Sequence, residues 1–462
     1  MTALRSPLPG HGRVHLIGIG GSGMSGLARI LLERGHPVSG SDLRGGRACA
    51  ELTAMGATVH VGHDAAHVDG ADVVAVSSAV PAANPELVRA RELGLEVLHR
   101  SELLAALMTG RRALLVAGTH GKTTTTSMAT VCLQHAGLDP SFAIGGSLES
   151  GASAHDGTGG VFVAEADESD RSFLSYTPDL AIVTNVELDH HDAYGSLDET
   201  LDAFAAFLAR RGAGAPAVLC ADDAGAMALR ARAAGVVVTY GLAADADARI
   251  EDVALDPGGS RFTLVHEGVR LGPIVLRVPG LHNVRNAAAA IVAARWAGAP
   301  DEGLGGSLAD FAGAARRFQR LGERDGVRLI DDYAHHPTEI TATLAAARQA
   351  YPGARLVAAF QPHRYSRTAA LGAELGAALA DADVVVVTDV YAAGEAAVPG
   401  VDGRLVSAAA RAAGAEAHDV ASAGDVPAAL VRLVRPGDVV LTLGAGDITE
   451  AGPVFLRLLE AG

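Results

Sequence analysis

Short apolar runs alternate with alanine- and leucine-rich stretches along most of the chain. The runs have the length and the Val and Ile content of buried strands, and the stretches between them are long enough for helices. This alternation predicts α/β domains with mostly parallel sheets. The predicted strands lie near residues 13–17, 37–39, 58–61, 73–77 and 96–98, near 113–117, 160–164, 180–184, 217–219 and 236–240, and near 327–330, 356–360, 384–387 and 439–443.

One segment departs from this pattern. In residues 249–278, alternating polar and apolar positions lie between Gly and Pro turns, which predicts antiparallel strands. The parallel series itself breaks near residues 108–110 and 311–315. At about 150 residues per domain, a chain of 462 residues also predicts three domains.

The composition excludes several classes of protein. With 53 acidic and 37 basic residues the net charge is −16, which disfavours a basic nucleic-acid surface but leaves local phosphate sites possible. Cys49, Cys132 and Cys220 are widely spaced and form no CxxC pair, so neither a disulfide framework nor a thiolate zinc site is expected. The longest apolar runs are strand-sized, and the first 12 residues lack the apolar stretch of a signal peptide. We therefore expect a cytoplasmic protein that binds neither nucleic acid nor membranes.

A glycine-rich segment follows the first predicted strand. Residues 18–23, GIGGSG, fit the pattern GxGxxG and precede a helical stretch at 24–33. Glycines allow a tight turn, and the helix N-terminus presents N–H groups to a diphosphate. Asp42, 19 residues after Gly23, could bind a ribose hydroxyl. The segment predicts a diphosphate site and leaves NAD, FAD and a nucleotide sugar open as its ligand.

A second glycine loop carries the only lysine of the chain. The strand at 113–117 runs into GTHGKTTTT at 118–126, and a helical stretch continues to His135. In such a loop Lys122 would reach the β- and γ-phosphate oxygens of ATP, and the Thr123 hydroxyl could bind Mg²⁺. The general pattern GxxxxGK[ST] requires glycine where this chain has Val116. Because every other basic residue is arginine, the site at Lys122 is expected to need a compact ammonium group.

Polar clusters follow two further predicted strands. The first cluster includes Glu165, Asp167, Glu168 and Asp170, and the second covers residues 185–192. Parallel α/β sheets place their ligands at the carboxyl ends of strands, and Mg²⁺ prefers oxygen ligands. Both clusters are therefore candidates for a magnesium site beside the lysine loop.

More motifs follow in the last third of the chain: HNVRN at 282–286, RRFQ at 316–319, DDYAHHPTE at 331–339, QPHRYSR at 361–367 and DVYAAGE at 389–395. Together with GIGGSGM, GTHGKTTT, EADESD and TNVELDHHD, in that order, they resemble the Mur ligase family over essentially the whole chain. The resemblance implies an α/β fold of three domains. These are a Rossmann-like N-terminal domain for a UDP-sugar (1–108), a P-loop-type central ATPase domain for ATP and Mg²⁺ (109–314), and a Rossmann-like C-terminal domain that binds the amino acid and closes (315–462).

The resemblance also implies a role for individual residues. The residues expected to bind the UDP-sugar are Gly20, Gly21, Ser22, Gly23, Met24, Asp42 and Arg100. Those expected to bind ATP are Gly118, Thr119, His120, Gly121, Lys122, Thr123, Thr124, His282, Asn283, Asn286, Arg317 and Asp332. Tyr333, His335 and Arg364 are expected at the amino acid, Thr123 and Glu165 on one Mg²⁺ and His190 on a second. The catalytic residues implied are Lys122, Arg317, His335 and His336.

Within the family, Tyr333 and Glu339 favour the activity that joins L-alanine to the lactyl carboxyl of UDP-N-acetylmuramate through an acyl phosphate, releasing ADP and phosphate. The alternative is a recycling activity that attaches an intact tripeptide to the same sugar nucleotide. Later stem-peptide activities are disfavoured, because the resemblance associates them with a second, carbamoylated lysine that this chain lacks. Two alternatives come from other classes of protein. A nicotinamide-dependent oxidoreductase would use only the first glycine turn and Asp42 and would leave the lysine loop without a role. A non-catalytic, regulatory ATP-binding protein would release no substrate-dependent phosphate. No obligate protein partner is expected.

Overall fold

The structure, a computed structural model, describes residues 12–190 and 193–461. His191 and Asp192 of the second polar cluster lie outside the described residues. The strands are β1 (Val14–Ile17), β2 (Val38–Asp42), β3 (Thr58–Val61), β4 (Val73–Val76), β5 (Glu96–His99), β6 (Arg112–Ala117), β7 (Ser141–Ala143), β8 (Ala154–His155), β9 (Val161–Glu165), β10 (Leu180–Val183), β11 (Ala217–Cys220), β12 (Val237–Gly241), β13 (Ala248–Asp256), β14 (Gly259–His266), β15 (Val269–Leu276), β16 (Gln319–Arg324), β17 (Val327–Asp332), β18 (Leu356–Phe360), β19 (Val384–Val387), β20 (Glu416–Asp419) and β21 (Val439–Leu443).

The helices lie between these strands in nearly regular alternation. They are α1 (Ser22–Glu33), α2 (Arg47–Ala54), α3 (Pro85–Glu92), α4 (Arg100–Met108), α5 (Lys122–His135), α6 (Leu197–Leu208), α7 (Ala224–Arg230), α8 (Leu281–Ala297), α9 (Asp301–Leu304), α10 (Pro337–Ala350), α11 (Tyr365–Leu379), α12 (Gly403–Ala412), α13 (Val426–Leu433) and α14 (Ala451–Ala461). The described part of the chain contains no helix that is long and apolar enough to cross a bilayer.

The described residues form two compact units. The first contains residues 12–186, 198–249 and 287–307, and the second contains 187–190, 193–197, 250–286 and 308–461. Each unit is built around parallel sheet with helices connecting the strands. The α/β class predicted from the alternating pattern is therefore confirmed.

The first unit holds two sheets. One has the strand order β3-β2-β1-β4-β5 and is parallel throughout. Its order reverses between β1 and β4, which opens a crevice at the carboxyl end of β1. On one face of this sheet, Ile17 and Val74 pack with Leu87 and Ala90 of α3. The glycine-rich segment therefore begins where such sheets place their ligands.

The other sheet of the first unit has the order β12-β11-β10-β6-β9-β7-β8. The central strand β6 pairs in parallel with both β9 and β10, so that Val116 lies opposite Glu165 and Ile182. The lysine loop continues β6 and lies between the ends of these two neighbours. The short strands β7 and β8 were not predicted, because two or three residues are too few to show a periodic pattern.

The second unit contains the antiparallel strands β14 and β15 and a sheet of order β16-β17-β21-β18-β19-β20. In β18, Leu356, Ala358 and Phe360 belong to the apolar core on one face of the sheet, and Val357 and Ala359 belong to the core on the other. Burial on both faces explains why the central strands read as continuous apolar runs. The edge strands β16 and β20 are mostly polar, and the pattern did not predict them.

Candidate active site

The glycine turn after β1 is held by the end of β2. The carbonyl oxygen of Ser41 accepts hydrogen bonds from the backbone N–H groups of Gly18 (2.8 Å) and Ile19 (3.0 Å). The carboxylate of Asp42 accepts from the N–H of Gly20 at 3.0 Å. Among the described residues, no side chain caps the N-terminus of α1, which begins at Ser22. This helix N-terminus has the geometry and partial charge that suit a diphosphate.

Arg100 lies over this turn. A Cβ atom added to Gly23 would come within 2.7 Å of its Nη1 atom, so a larger residue at this position would displace the guanidinium. The same guanidinium lies 3.7 Å from the carboxylate of Asp167. The structure thus brings the predicted sugar-nucleotide residues together around one turn. Met24, however, is buried in the core beneath helix α1.

The lysine loop is short and anchored by the end of β10. The backbone N–H of His120 donates to Asn185 Oδ1 (2.8 Å), and that of Thr119 donates to the Asn185 carbonyl (3.1 Å). Gly121 has a φ of +80°, a conformation that favours glycine, and is followed directly by α5. Val116 belongs to β6 and is buried. The missing pattern glycine therefore reflects a loop that begins only at Gly118.

Lys122 folds back across this loop. Its Nζ donates to the carbonyl oxygens of Gly118 (2.6 Å) and Thr119 (3.2 Å) and to Glu168 Oε1 (2.9 Å). Burial alone would lower the pKa of Lys122, but the carboxylates of Glu168, Asp167 and Glu165 outweigh it and raise the pKa. The ammonium group therefore remains charged, and it lies against two backbone carbonyls of the loop at the N-terminus of α5. This is the position from which a lysine can reach phosphate oxygens.

Two oxygen-bearing side chains, those of Thr123 and Glu165, lie beside the lysine. The Thr123 hydroxyl donates to Glu165 Oε2 at 3.2 Å, and the other carboxylate oxygen accepts from the N–H of Gly145 at 2.6 Å. A hydroxyl and a carboxylate this close match two neighbouring ligands of one octahedral Mg²⁺ ion, which binds oxygen at about 2.0–2.1 Å. The donor set at Thr123 and Glu165 fits magnesium. Thr124 follows in α5 with its side chain buried.

In the second unit, a buried ion pair joins Asp189 and Arg367. The guanidinium donates to both carboxylate oxygens, at 2.9 and 3.1 Å, and both side chains are almost fully buried. Burial alone would raise the pKa of Asp189, but Arg367, His190 and His335 hold it well below its usual range. His190 follows Asp189 directly and has a positive φ of 53°. The ion pair therefore fixes the backbone that carries this predicted metal ligand.

The two adjacent histidines of the second unit have different partners. His335 Nδ1 lies 2.9 Å from the carbonyl of Tyr333, so this nitrogen must donate and Nε2 is left as the acceptor. Burial lowers the pKa of His335 to about 4, with Glu339 and Asp189 opposing the shift and Arg367 adding to it. His336 Nδ1 instead accepts from the N–H of Thr338 at 3.4 Å and caps α10.

Arg317 lies beside Tyr333 and Asp332. Its guanidinium carbon is 5.1 Å from the centre of the Tyr333 ring, and its Nη1 is 3.4 Å from Glu339. The two oxygens of Asp332 accept from the backbone N–H groups of Phe318 (2.7 Å) and Ala334 (2.8 Å). Burial raises the pKa of Asp332 to about 6 despite Arg317. Arg317, Asp332 and Tyr333 are thus neighbours. They are the residues expected to bind ATP and the amino-acid substrate in this unit.

The start of α8 carries the predicted adenine residues. Asn283 Nδ2 donates to the carbonyl of Pro279 at 2.7 Å, and Asn286 Nδ2 lies 3.4 Å from Asn283 Oδ1. Burial, with Arg285 and Arg317, lowers the pKa of His282 to about 4. The imidazole is neutral at neutral pH and is therefore compatible with an uncharged base.

Arg364 is the N-cap residue of α11 and has a positive φ of 71°, and its backbone N–H donates to the carbonyl of Tyr391 at 2.8 Å. Its guanidinium lies 3.9 Å from Glu395, whose carboxylate also accepts from the N–H of Ser366. Arg364, which is expected to bind the amino-acid substrate, is therefore held at the N-terminus of α11 by a hydrogen bond of its own backbone.

Sequence reasoning placed Glu168 and Asn185 only within the two candidate magnesium clusters and gave Arg367 no role of its own, whereas the structure shows a specific contact for each. Glu168 pairs with Lys122, Asn185 anchors the lysine loop, and Arg367 pairs with Asp189. A signal existed for Glu168, because a buried lone lysine requires a nearby carboxylate. The others depend on contacts between residues far apart in the chain and gave no local signal.

The two glycine turns, the charged lysine and the threonine–carboxylate pair define the class of protein: an α/β enzyme that binds nucleotide phosphates at the ends of parallel strands. Three family models match the chain in order. They are the Mur ligase family catalytic domain over residues 13–112, the Mur ligase middle domain over 116–294, and the Mur ligase glutamate ligase domain over 316–446. The chain belongs to the Mur ligase family, whose members are ATP-dependent.

Individual relatives agree with this assignment. A UDP-N-acetylmuramate–L-alanine ligase from Acidothermus cellulolyticus is 52% identical over 98% of this chain and 96% of the relative. The crystal structure of a UDP-N-acetylmuramate–alanine ligase from Thermotoga maritima matches with a TM-score of 0.82 and 30% identity, covering 98% of this chain and 100% of that one. A murein peptide ligase from Psychrobacter arcticus matches with a TM-score of 0.73 and 26% identity, covering 97% and 98%. The expected three-domain architecture is therefore confirmed.

Proposed function

We propose that this protein joins L-alanine to the lactyl carboxyl group of UDP-N-acetylmuramate, with conversion of ATP to ADP and phosphate. The relatives that carry this activity in their names are about half identical to this chain over nearly its full length. The observation in the structure that carries the proposal is the charged Lys122 inside a glycine loop, beside Thr123 and Glu165. This arrangement suits the transfer of a terminal phosphoryl group.

The chemistry follows from the weak electrophilicity of a carboxylate. A lactyl oxygen attacks the γ-phosphorus of ATP, the bond from that phosphorus to the bridging oxygen breaks, and ADP leaves. The alanine nitrogen, as a neutral amine, then attacks the carbonyl carbon of the acyl phosphate, and phosphate leaves. In the first step both reactants are anionic, so Lys122 and Arg317 are assigned to neutralise the charge that accumulates.

Magnesium is assigned to Thr123 and Glu165, with His190 assigned to a second ion. A bound Mg²⁺ ion supplies a Lewis acid that offsets negative charge on the transferred phosphoryl group. The raised pKa of Lys122 keeps its ammonium charged beside those ligands. The protein residues thus orient the triphosphate and hold positive charge at its end.

The amino acid must lose a proton before it attacks, because alanine is mostly an ammonium ion at neutral pH. His335 and His336 are both candidates to accept it. Since the pKa of His335 is lowered to about 4, this imidazole is neutral at working pH. If His335 accepts the proton, the acidic limb of the rate profile lies below pH 5, and His335→Ala abolishes that limb while His336→Ala retains it. A profile unchanged in both variants would remove both residues from the role.

The function is tested by measuring phosphate release from purified protein with ATP, UDP-N-acetylmuramate and L-alanine. We expect release that requires all three substrates, and a product in which alanine is linked to the sugar nucleotide. Glycine and the intact tripeptide serve as competing acceptors. The similarity to a murein peptide ligase makes the tripeptide arm necessary. Exclusive use of the tripeptide would overturn the proposal in favour of recycling, and phosphate release without any acceptor would contradict ligation.

A further inference from the structure

A buried carboxylate in the first unit has no part in the roles assigned above. Glu86, in the first turn of α3, is fully buried. The Ser41 hydroxyl donates to its Oε2 at 2.5 Å, and His67 Nδ1 lies 2.8 Å from its Oε1. His15 Nε2 and His63 Nδ1 lie 3.4 and 3.5 Å from Oε2. The carboxylate is therefore surrounded by polar side chains from several separate segments.

The charge of this group is stabilised by its surroundings. Burial alone would raise the pKa of Glu86, but hydrogen bonds from His15, Ser41 and His67 lower it to about 2. Its own backbone N–H donates to the helix-capping Asn84 side chain at 2.9 Å, which places the carboxylate at the positive end of α3. Glu86 is thus ionised at every pH at which the protein works. An ionised buried carboxylate is costly unless fully hydrogen-bonded, so its partners are held in fixed positions.

One of these partners, Ser41, also contacts the glycine turn. Ser41, which donates its hydroxyl to Glu86, also accepts the N–H groups of Gly18 and Ile19 through its carbonyl. The next residue, Asp42, accepts the N–H of Gly20. One carboxylate therefore fixes the residue on which the first half of the turn depends.

Glu86 also contacts β1 and the segment that follows β3, and β1 and β3 are the two strands that flank β2 in the sheet. The N–H of Asp64, which follows β3, donates to Glu86 Oε1 at 3.3 Å. His15 of β1 contacts Glu86 through Nε2 and the Ser39 hydroxyl of β2 through Nδ1, the latter at 3.0 Å. The carboxylate thus links β1, β2 and the segment after β3 at the place where the sheet opens its crevice.

We propose that Glu86 is a positioning residue for the sugar nucleotide: it contacts no ligand, and it holds Ser41 so that the glycine turn keeps the shape that receives the diphosphate. This inference rests on the proposed function, in which the first glycine turn binds UDP-N-acetylmuramate. Its consequence is separable from catalysis. Loss of the Glu86 charge weakens sugar-nucleotide binding, while the lysine loop, which is anchored by Asn185, is unaffected.

The test compares Glu86→Gln and Ser41→Ala with wild-type protein. Each variant removes one side of a charge-assisted hydrogen bond, so we expect the dissociation constant for UDP-N-acetylmuramate, measured by calorimetry, to rise about tenfold. The KM for ATP is expected to stay within about twofold of the wild-type value. The control is Glu92→Gln, which makes the same substitution at an exposed carboxylate of the same helix and is expected to change neither constant.

The readouts separate positioning from a merely structural role. A structural role would lower the melting temperature and reduce the active fraction, leaving the dissociation constant of the folded protein and both KM values unchanged. If Ser41→Ala, or a folded Glu86→Gln, binds UDP-N-acetylmuramate as tightly as wild type, the inference is wrong. If the wild-type protein itself fails to bind UDP-N-acetylmuramate, the proposed function is wrong instead.

Discussion

The two glycine turns of the first unit use the same backbone arrangement with different side chains. Both follow a buried parallel strand, precede a helix, and are held by hydrogen bonds to the end of a neighbouring strand. The turn after β1 depends on Ser41 and Asp42, with Arg100 above it. The turn after β6 depends on Asn185 and contains Lys122.

This difference shows what the backbone supplies and what it leaves to side chains. A helix N-terminus with glycines can receive phosphate groups in either turn. In the proposed function the first turn holds a diphosphate that stays intact, and Arg100 lies above this turn. In the same proposal the second turn stabilises a phosphoryl group during transfer, and it has an ammonium group, a hydroxyl and carboxylates close together. The substitutions below separate the two turns.

The largest effect is expected from Lys122→Met, which removes the charge from the second turn alone. Because charge on the transferred phosphoryl group then lacks its fixed partner, kcat is expected to fall by about a thousandfold or more. The dissociation constant for UDP-N-acetylmuramate should not change. Steady-state kinetics and calorimetry measure the two quantities.

Lys122→Arg is the matched control for charge. The planar guanidinium cannot occupy the space between the carbonyls of Gly118 and Thr119 as the ammonium does, so we expect at least about a hundredfold loss of kcat here as well. Activity near the wild-type level in Lys122→Arg would show that charge alone is sufficient. Activity near that level in Lys122→Met would refute the role of the second turn.

A smaller effect is expected from Glu165→Gln, which alters the oxygen ligands beside Lys122. Replacing a carboxylate by an amide weakens a magnesium ligand, so the Mg²⁺ concentration for half-maximal activity is expected to rise about 10- to 100-fold. A magnesium titration of initial rates measures this shift. Glu149→Gln, at an exposed acid elsewhere in the first unit, should leave the titration unchanged. An equal shift in both variants would mean that Glu165 has no specific role.

The first turn is tested by Arg100→Ala. Loss of one charge–phosphate contact at a partly exposed site is expected to weaken UDP-N-acetylmuramate binding by about 5- to 10-fold. The KM for ATP should stay constant, which is the converse of the result at Lys122. Arg91→Ala, at an exposed arginine of α3, serves as the control. An increase in the KM for ATP with unchanged sugar-nucleotide binding would show that Arg100 does not act at the first turn.

The smallest expected effect is the pH dependence of the free energy of unfolding. It depends on buried histidines of the second unit and not on the two glycine turns. Burial lowers the pKa of His282 and His335 to about 4 and that of His363 to about 3. Between pH 6.5 and about 4, the unfolded chain therefore binds more protons than the folded chain, and the free energy of unfolding falls as pH falls. Asp332, with its pKa raised to about 6, has the opposite effect on the free energy of unfolding. It is one group, whereas three histidines act in the other direction.

Urea unfolding at several pH values measures that trend. His363→Gln should reduce the slope between pH 6.5 and 4. Binding of the sugar nucleotide should stay constant from pH 6 to 8, because Glu86 keeps its charge there. An unfolding free energy that does not change between pH 6.5 and 4 would contradict the assignment of buried neutral histidines.

Much of the fold could be predicted from the sequence, because buried parallel strands such as β6, β18 and β19 appear as continuous apolar runs. Glycine turns and the single lysine were also visible, since their chemistry depends on neighbours in sequence. The polar edge strands β16 and β20 were not, because exposure removes the apolar pattern.

The parts of the site that could not be predicted depend on contacts over long sequence distances. Glu86 meets His15 across 71 residues, and Arg367 meets Asp189 across 178. Each of these side chains is an ordinary polar residue in its own segment. Only the folded chain shows that they are buried and paired.

The central claim is that the terminal phosphate of ATP is transferred to the carboxyl group of UDP-N-acetylmuramate before alanine attacks. It is tested most directly with UDP-N-acetylmuramate labelled with ¹⁸O in the lactyl carboxyl, followed by mass spectrometry of the released phosphate. The account predicts that each phosphate carries one oxygen atom from that carboxyl group, because the acyl phosphate is cleaved on its carbonyl side. Unlabelled phosphate, released at the rate of product formation, would contradict it.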